Sequence, residues 1–96
     1  MGQMRKWVAS FERMLDGKET GQVNVLEKEF LEWVKRKLTD TDGFHNVKCR
    51  SFQRSQRIMS VDVEFDHADK LFPAQVPTFG NWIVIQVRRF LPDANQ

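Results

Sequence analysis

Apolar residues in the first part of the chain recur at the spacing of one helix face. They are Met4, Trp7, Val8, Phe11 and Met14 or Leu15. An apolar residue at every third or fourth position is typical of an amphipathic helix that lies on a core. The pattern therefore predicts a first helix from Met4 to Leu15, and Gly17 is a suitable residue to end it.

A second helical pattern extends from Asn24 to Leu38. Asn24 is a preferred N-cap residue, and Glu27 follows it at the spacing of a capping box. The apolar face then consists of Leu26, Phe30, Trp33, Val34 and Leu38. Because residues 39–43 are turn-forming, we expect the second helix to end before Thr39.

From Val47 onward, apolar and polar residues alternate, which is typical of half-buried strands. Two strands are predicted around residues 47–51 and 59–65, joined as a hairpin near Ser55 and Gln56. A third strand is predicted from Asn81 to Phe90. Its two faces would carry Ile83, Ile85 and Val87 on one side, and Trp82, Val84, Gln86 and Arg88 on the other. Residues 66–80 contain Pro73, Pro77 and Gly80, and we expect an irregular loop there.

These elements predict a fold of the α+β class. Two N-terminal helices would pack on one face of a three-stranded antiparallel sheet, in the order ααβββ, with the other face partly exposed. The 96 residues are enough for one small globular domain that spans residues 1–96.

Composition narrows the environment of the protein. No apolar run is long enough to cross a membrane, and the first residues lack the apolar core of a signal peptide. A single cysteine, Cys49, cannot form an internal disulfide, so a reducing compartment is expected. We therefore predict a cytoplasmic protein without a membrane partner, either a monomer or a homodimer.

Residues that could carry chemistry do not form a recognised catalytic or metal-binding motif. The candidate metal ligands are His45, Cys49, Asp66, His67 and Asp69, and their spacing matches no standard site. Asp62 and Glu64 share one strand face, which we interpret as solvent-facing acids. The sequence thus predicts a non-enzymatic protein with no cofactor and no metal.

A cation-rich segment from Lys48 to Arg57 carries no acidic residue. On a regular strand one face would carry Lys48, Arg50, Phe52 and Arg54, and with Arg57 and Arg88 these residues could bind RNA or single-stranded nucleic acid. A competing interpretation starts from a register that pairs Cys49 with Val63. Lys48 would then face Glu64 and Arg50 would face Asp62 in cross-strand ion pairs.

An apolar loop precedes the predicted third strand. If exposed, Phe72, Val76 and Phe79, with Trp82 beyond them, would form a partner-binding patch. If buried, the same residues would close one end of the core. Both interpretations remain open at this point.

Three classes of function follow from these features. The leading hypothesis is a protein-interaction domain, an adaptor or an inhibitor, that uses the exposed sheet face, the free edge of the third strand or the 72–79 loop. The alternative is a small nucleic-acid-binding module that uses the basic hairpin 48–57. A small ribonuclease of the toxin type is a more distant third.

Overall fold

The computed structural model describes residues 4–90, so the predictions that concern Met1–Gln3 lie outside it. Within this part of the chain there are one α-helix and five strands in a single antiparallel sheet, an α+β arrangement. The strands are β1 (Arg5–Met14), β2 (His45–Cys49), β3 (Gln53–Ser55), β4 (Ile58–His67) and β5 (Ile83–Arg89). The helix α1 (Val23–Trp33) continues as a π-helical turn over Val34–Leu38.

The strand order across the sheet is β2-β4-β1-β5, and β3 pairs with β4 on the same edge as β2. Strand β4 therefore lies between β1 and β2, the two strands that precede and follow α1. This is a split β–α–β unit. Two short 3₁₀ turns, Glu19–Gly21 and Pro73–Gln75, lie in the connections.

The predicted fold of two helices on a three-stranded sheet is wrong, because residues 5–14 form the central strand β1. In β1 the residues directed to the core are Trp7, Ala9, Phe11 and Arg13, and Leu15 continues the row. Two residues conceal this alternation in the sequence. Arg13 is a charged residue on the core side, paired with Glu19, and Val8 is a buried apolar residue on the opposite side.

The second predicted helix is confirmed, since helical structure runs from Val23 to Leu38. Its last turn widens into a π-helix, and the Thr39 amide donates to the Val34 carbonyl at 3.0 Å. The widened turn directs both Val34 and Leu38 into the core. The Thr41 hydroxyl donates to the Lys37 carbonyl at 2.9 Å, which satisfies one of the last carbonyl groups.

Phe30 of α1 lies at the centre of an aromatic core. Its ring centroid lies 4.6 Å from that of Trp82, 5.2 Å from Phe11, 5.5 Å from Trp33 and 5.9 Å from Phe52. Trp33 belongs to α1 itself, and the other three rings come from β1, from the end of the loop before β5 and from the segment between β2 and β3. Phe30 thus connects the helix with three other parts of the fold.

Both edges of the sheet contain a β-bulge, and each bulge changes which residues face the core. On one edge, Arg50 pairs with Asp62 and Gln53 pairs with Ser60, so Ser51 and Phe52 lie opposite the single residue Val61. The extra residue reverses the alternation, and Phe52 packs against the core.

On the other edge, the bulge falls within β5. Ser10 pairs with Gln86 and Phe11 pairs with Val84, which leaves Ile85 as the extra residue. The third predicted strand is therefore present, but the predicted assignment of its faces is wrong. Ile83 and Ile85 are exposed, whereas Val84 and Val87 pack against the core.

We predict that Phe30→Ala lowers the free energy of unfolding by about 3–5 kcal/mol, because it removes a ring that four other aromatic rings contact. Urea denaturation followed by tryptophan fluorescence measures this change. The control is Phe72→Ala, where the side chain is 65% exposed and the expected change is within about 0.5 kcal/mol. Equal effects of the two substitutions would contradict this assignment of the core.

Candidate functional site

The face of the sheet opposite α1, called here the open face, is divided into a charged end and an apolar end. The strand register defines it residue by residue, because residues in register lie on the same side of the sheet. At the end near the β3–β4 turn, Met14 lies opposite Ile58. In the next row Glu12 lies between Ser60 and Ile83.

Three large apolar side chains form the apolar end of the open face, which we call the apolar patch: Met14, Ile58 and Ile83. They are 71%, 37% and 57% exposed, respectively. Met14 and Ile58 are direct cross-strand neighbours, and Ile83 is the diagonal neighbour of Met14 on the other side. The patch is therefore continuous across β4, β1 and β5.

The charged end of the open face is held together by two carboxylates. The first is Glu64, which is buried and accepts a hydrogen bond of 2.5 Å from Arg50 Nε. Lys6 Nζ lies 3.8 Å from the same carboxylate. Both cations also approach the Phe90 ring, with Arg50 5.3 Å and Lys6 5.7 Å from its centroid.

The second carboxylate is Asp62, which is bound by Arg88 and Ser10. Arg88 Nη2 lies 3.0 Å from Asp62 Oδ2, and the Ser10 hydroxyl donates to Asp62 Oδ1 at 2.7 Å. Arg88 Nη1 donates to the Ser10 hydroxyl at 2.8 Å, which closes the network. At the charged end of the open face, the cations and the carboxylates therefore bind each other.

The structure separates the residues of the predicted basic face. The proposed register is confirmed, since Cys49 pairs with Val63 and Lys48 pairs with Glu64. The common face is wrong, because the bulge turns Phe52 toward the core. Arg50 does form an ion pair, but with Glu64, because Arg88 binds Asp62.

Arg54 and Arg57, near the tip of the hairpin, are both exposed. Arg54 Nε donates to the Gln56 carbonyl at 3.2 Å, across the turn. Gln56 has a φ of 53°, a left-handed conformation that lets two residues connect β3 and β4. The hairpin thus presents two guanidinium groups to solvent.

Of the four residues predicted to form a patch in and after the apolar loop, only Phe72 is largely exposed. Val76 and Trp82 are buried in the core. Phe79 is half-buried and stacks on the Trp33 ring, with the centroids 5.8 Å apart and the planes 18° apart. The loop therefore mainly closes the β5 side of the core.

The bulge between β2 and β3 opens a depression of about 840 Å³ at the sheet edge. Its lining includes Lys48, Cys49, Ser51, Asp62 and, from α1, Leu31. Burial raises the pKa of the Cys49 thiol from 9.0 to about 11. A thiol with this pKa is protonated at neutral pH and is therefore a poor nucleophile.

The candidate metal ligands have other partners or are dispersed. His67 Nδ1 accepts a hydrogen bond of 3.1 Å from the Asp69 amide, and Asn46 donates to Asp66 at 2.7 Å. Across residues 4–90, no three His, Cys, Asp or Glu side chains come together in a metal-binding arrangement. His45 and Cys49 lie at opposite ends of β2.

Reasoning from sequence missed the apolar patch because each member was assigned to another environment. Met14 was placed on a helix face, and Ile83 on a face with Ile85 and Val87. Ile58 lies at the end of a polar stretch, where it carries little periodic signal. The dipeptide Ile58-Met59 did contain a signal. Because only one of two adjacent residues on a strand can face the core, one of these two apolar side chains had to lie on the other face of the sheet.

No protein-family profile, curated protein or solved structure matches this chain. In the part of the chain that the structure describes, no helix has the length and apolar character needed to span a membrane.

We predict that Cys49 reacts slowly with a disulfide reagent in the native protein. A pKa near 11 instead of 9.0 lowers the thiolate fraction at pH 8 by about 100-fold. The rate should rise with pH up to about 11, and it should also rise at pH 8 on unfolding in urea. Spectrophotometric thiol titration measures both rates, and equal rates in the native and unfolded protein would contradict the assigned environment.

Proposed function

We propose that this chain is a non-enzymatic protein-interaction domain that binds its partner through the apolar patch. The observation that carries the proposal is the adjacency of Met14, Ile58 and Ile83 on the open face, each of them substantially exposed. Contiguous exposed apolar side chains are a mark of interaction surfaces. Either an adaptor or an inhibitor could use such a surface.

Burial of the apolar patch against a partner is favoured in free energy over its exposure to water. Complete burial of one Met or Ile side chain stabilises an interface by about 1.5–3 kcal/mol. Met14 and Ile83 retain more than half of their surface for such burial, since they are 71% and 57% exposed. Strands β4, β1 and β5 hold the patch on regular backbone, so little ordering entropy is lost on binding.

Two observations weigh against the nucleic-acid alternative and so favour protein binding. A nucleic-acid-binding sheet stacks bases on exposed aromatic rings, but Phe52 is partly buried and packs against the core. Two cations of the predicted nucleic-acid-binding face, Arg50 and Arg88, already bind carboxylates of this chain, Glu64 and Asp62 respectively. Protein interaction is therefore the better supported of the two functions.

We also propose that the protein works in the cytoplasm. Cys49 is a free thiol, and a reducing compartment keeps such a thiol from forming intermolecular disulfides.

The expected result of Met14→Ser combined with Ile83→Ser is loss of partner binding without loss of fold. The measurement is a pulldown from lysate of the source organism with tagged wild-type and variant chains, run with and without nuclease treatment. A protein retained by the wild type should be lost with the variant, because serine removes the apolar contact area. Thermal melting should change little, since both side chains already lie in solvent.

The matched control is Val25→Ser, an apolar residue that is 55% exposed on α1 and away from the open face. This variant should retain the same partner as the wild type. The proposal is overturned if the patch variant retains every partner, or if all retained proteins disappear on nuclease treatment.

A further inference from the structure

A depression of about 260 Å³ lies along the helix, on the side of the molecule opposite the open face. Its lining combines two aromatic rings with two acids and two cations: Trp33, Phe79, Glu29, Glu32, Arg36 and Lys37. The two rings stack with their planes 18° apart, and both remain half-buried. The four charged residues are exposed. The helix therefore presents an aromatic centre to solvent with charges of both signs around it.

The charges around Trp33 are not neutralised within the described part of the chain. There, no oppositely charged group lies within 4.0 Å of Glu29, Glu32, Arg36 or Lys37. Glu32 and Arg36 have the spacing of a common intrahelical ion pair, yet they form none. These side chains are therefore available to pair with another molecule.

The order of the charges makes this helix face complementary to itself. Glu29 stands four residues before Trp33, and Lys37 stands four residues after it. In an antiparallel pair of α1 helices with both Trp33 rings at the two-fold axis, Glu29 of each copy meets Lys37 of the other. The same ion pair is then formed twice, as an isologous interface requires. This alignment also brings Glu32 of one copy within two residues of the position that faces Arg36 of the other.

We infer that this helix face binds a second copy of the chain, in an antiparallel dimer centred on Trp33. A wholly acidic or wholly basic partner fits less well, because half of the charges would then face charges of the same sign. The dimer leaves both apolar patches uncovered, since they lie on the other side of the sheet. It therefore goes beyond the proposed function, and it would give two copies of the binding site to one assembly, which increases avidity for a partner with repeated binding segments.

The dimer should be weak and sensitive to salt. A contact made through one helix face is at the small end of specific interfaces, so we expect a Kd of roughly 0.1 mM. Exposed ion pairs are screened as the ionic strength rises, so the dimer should weaken between about 0.05 M and about 0.5 M salt. Sedimentation equilibrium of the full-length chain over a range of concentrations measures both effects.

Charge reversals at Glu29 and Lys37 test the antiparallel arrangement. Glu29→Lys alone sets like charges against each other twice in the dimer, and so does Lys37→Glu alone. Each variant should therefore dimerise roughly tenfold more weakly than the wild type, or worse. An equimolar mixture of the two variants should form a heterodimer about as well as the wild type dimerises, because every lysine then faces a glutamate. Both substitutions in one chain should restore dimerisation for the same reason.

The matched control is Lys28→Glu, which reverses an exposed charge beside Glu29 but outside the depression. This variant should dimerise as the wild type does. Met14→Ser with Ile83→Ser should also leave dimerisation unchanged, because the apolar patch is not part of this interface. Circular dichroism checks that each variant is folded, which we expect because all the substituted side chains are exposed.

A chain that stays monomeric up to about 1 mM overturns the inference. So does a mixture of the two single variants that associates no better than either variant alone. A dimer that Met14→Ser with Ile83→Ser abolishes overturns it as well, because the second copy would then cover the apolar patch. These measurements use the purified chain alone, so they can fail while the pulldown supports the proposed function, and the reverse also holds.

Discussion

The pairing of β1 with β4 is the constraint on which the rest of the structure depends. Its register is continuous over ten residue pairs, from Arg5 opposite His67 to Met14 opposite Ile58. Because side chains alternate along a strand, this one register determines both faces of the sheet. It directs Phe11 and Val61 to the core beneath α1, and it brings Met14 and Ile58 together on the opposite side. Core and candidate site are thus two results of the same alignment, and a shift by one residue would exchange them.

Charge follows the same alignment. Glu64 and Asp62 alternate with core residues along β4, so both stand on the open face, where Arg50 reaches one and Arg88 the other. From the sequence alone, Arg50 and Arg88 were candidates for binding a nucleic acid, but in the structure both form these ion pairs. Arg54 and Arg57 lie beyond the bulge, and among the described residues no carboxylate oxygen comes within 4.0 Å of either one. The ion pairs at the charged end of the open face therefore originate in the positions of two acids on one strand.

The sequence predicted α1 and the strands around residues 47–51 and 59–65, because in these segments one period dominates over enough residues. It failed at β1, where Val8 on the open face and Arg13 on the core side produce a helix-like pattern in a strand. Tertiary context decides such a case: β1 is hydrogen-bonded on both sides, and Glu19 compensates the charge of Arg13. The site was less predictable than the fold. Phe52 and Ile85 changed faces at bulges, which depend on pairing between strands and leave no periodic signal within one of them.

The irregularities in strand pairing at the two sheet edges, including one between His45 and Lys48 in β2, also affect how the protein behaves at high concentration. A sheet with straight, unpaired edges can accept strands from other molecules and extend into aggregates. Here one edge is interrupted at Ser51 and Phe52 and the other at Ile85, so neither offers a long regular template. Exposed apolar side chains such as Met14 and Ile83 would be hazardous beside an open template. Because both edges are interrupted, the protein can expose apolar side chains on the open face with a lower tendency to polymerise by strand addition.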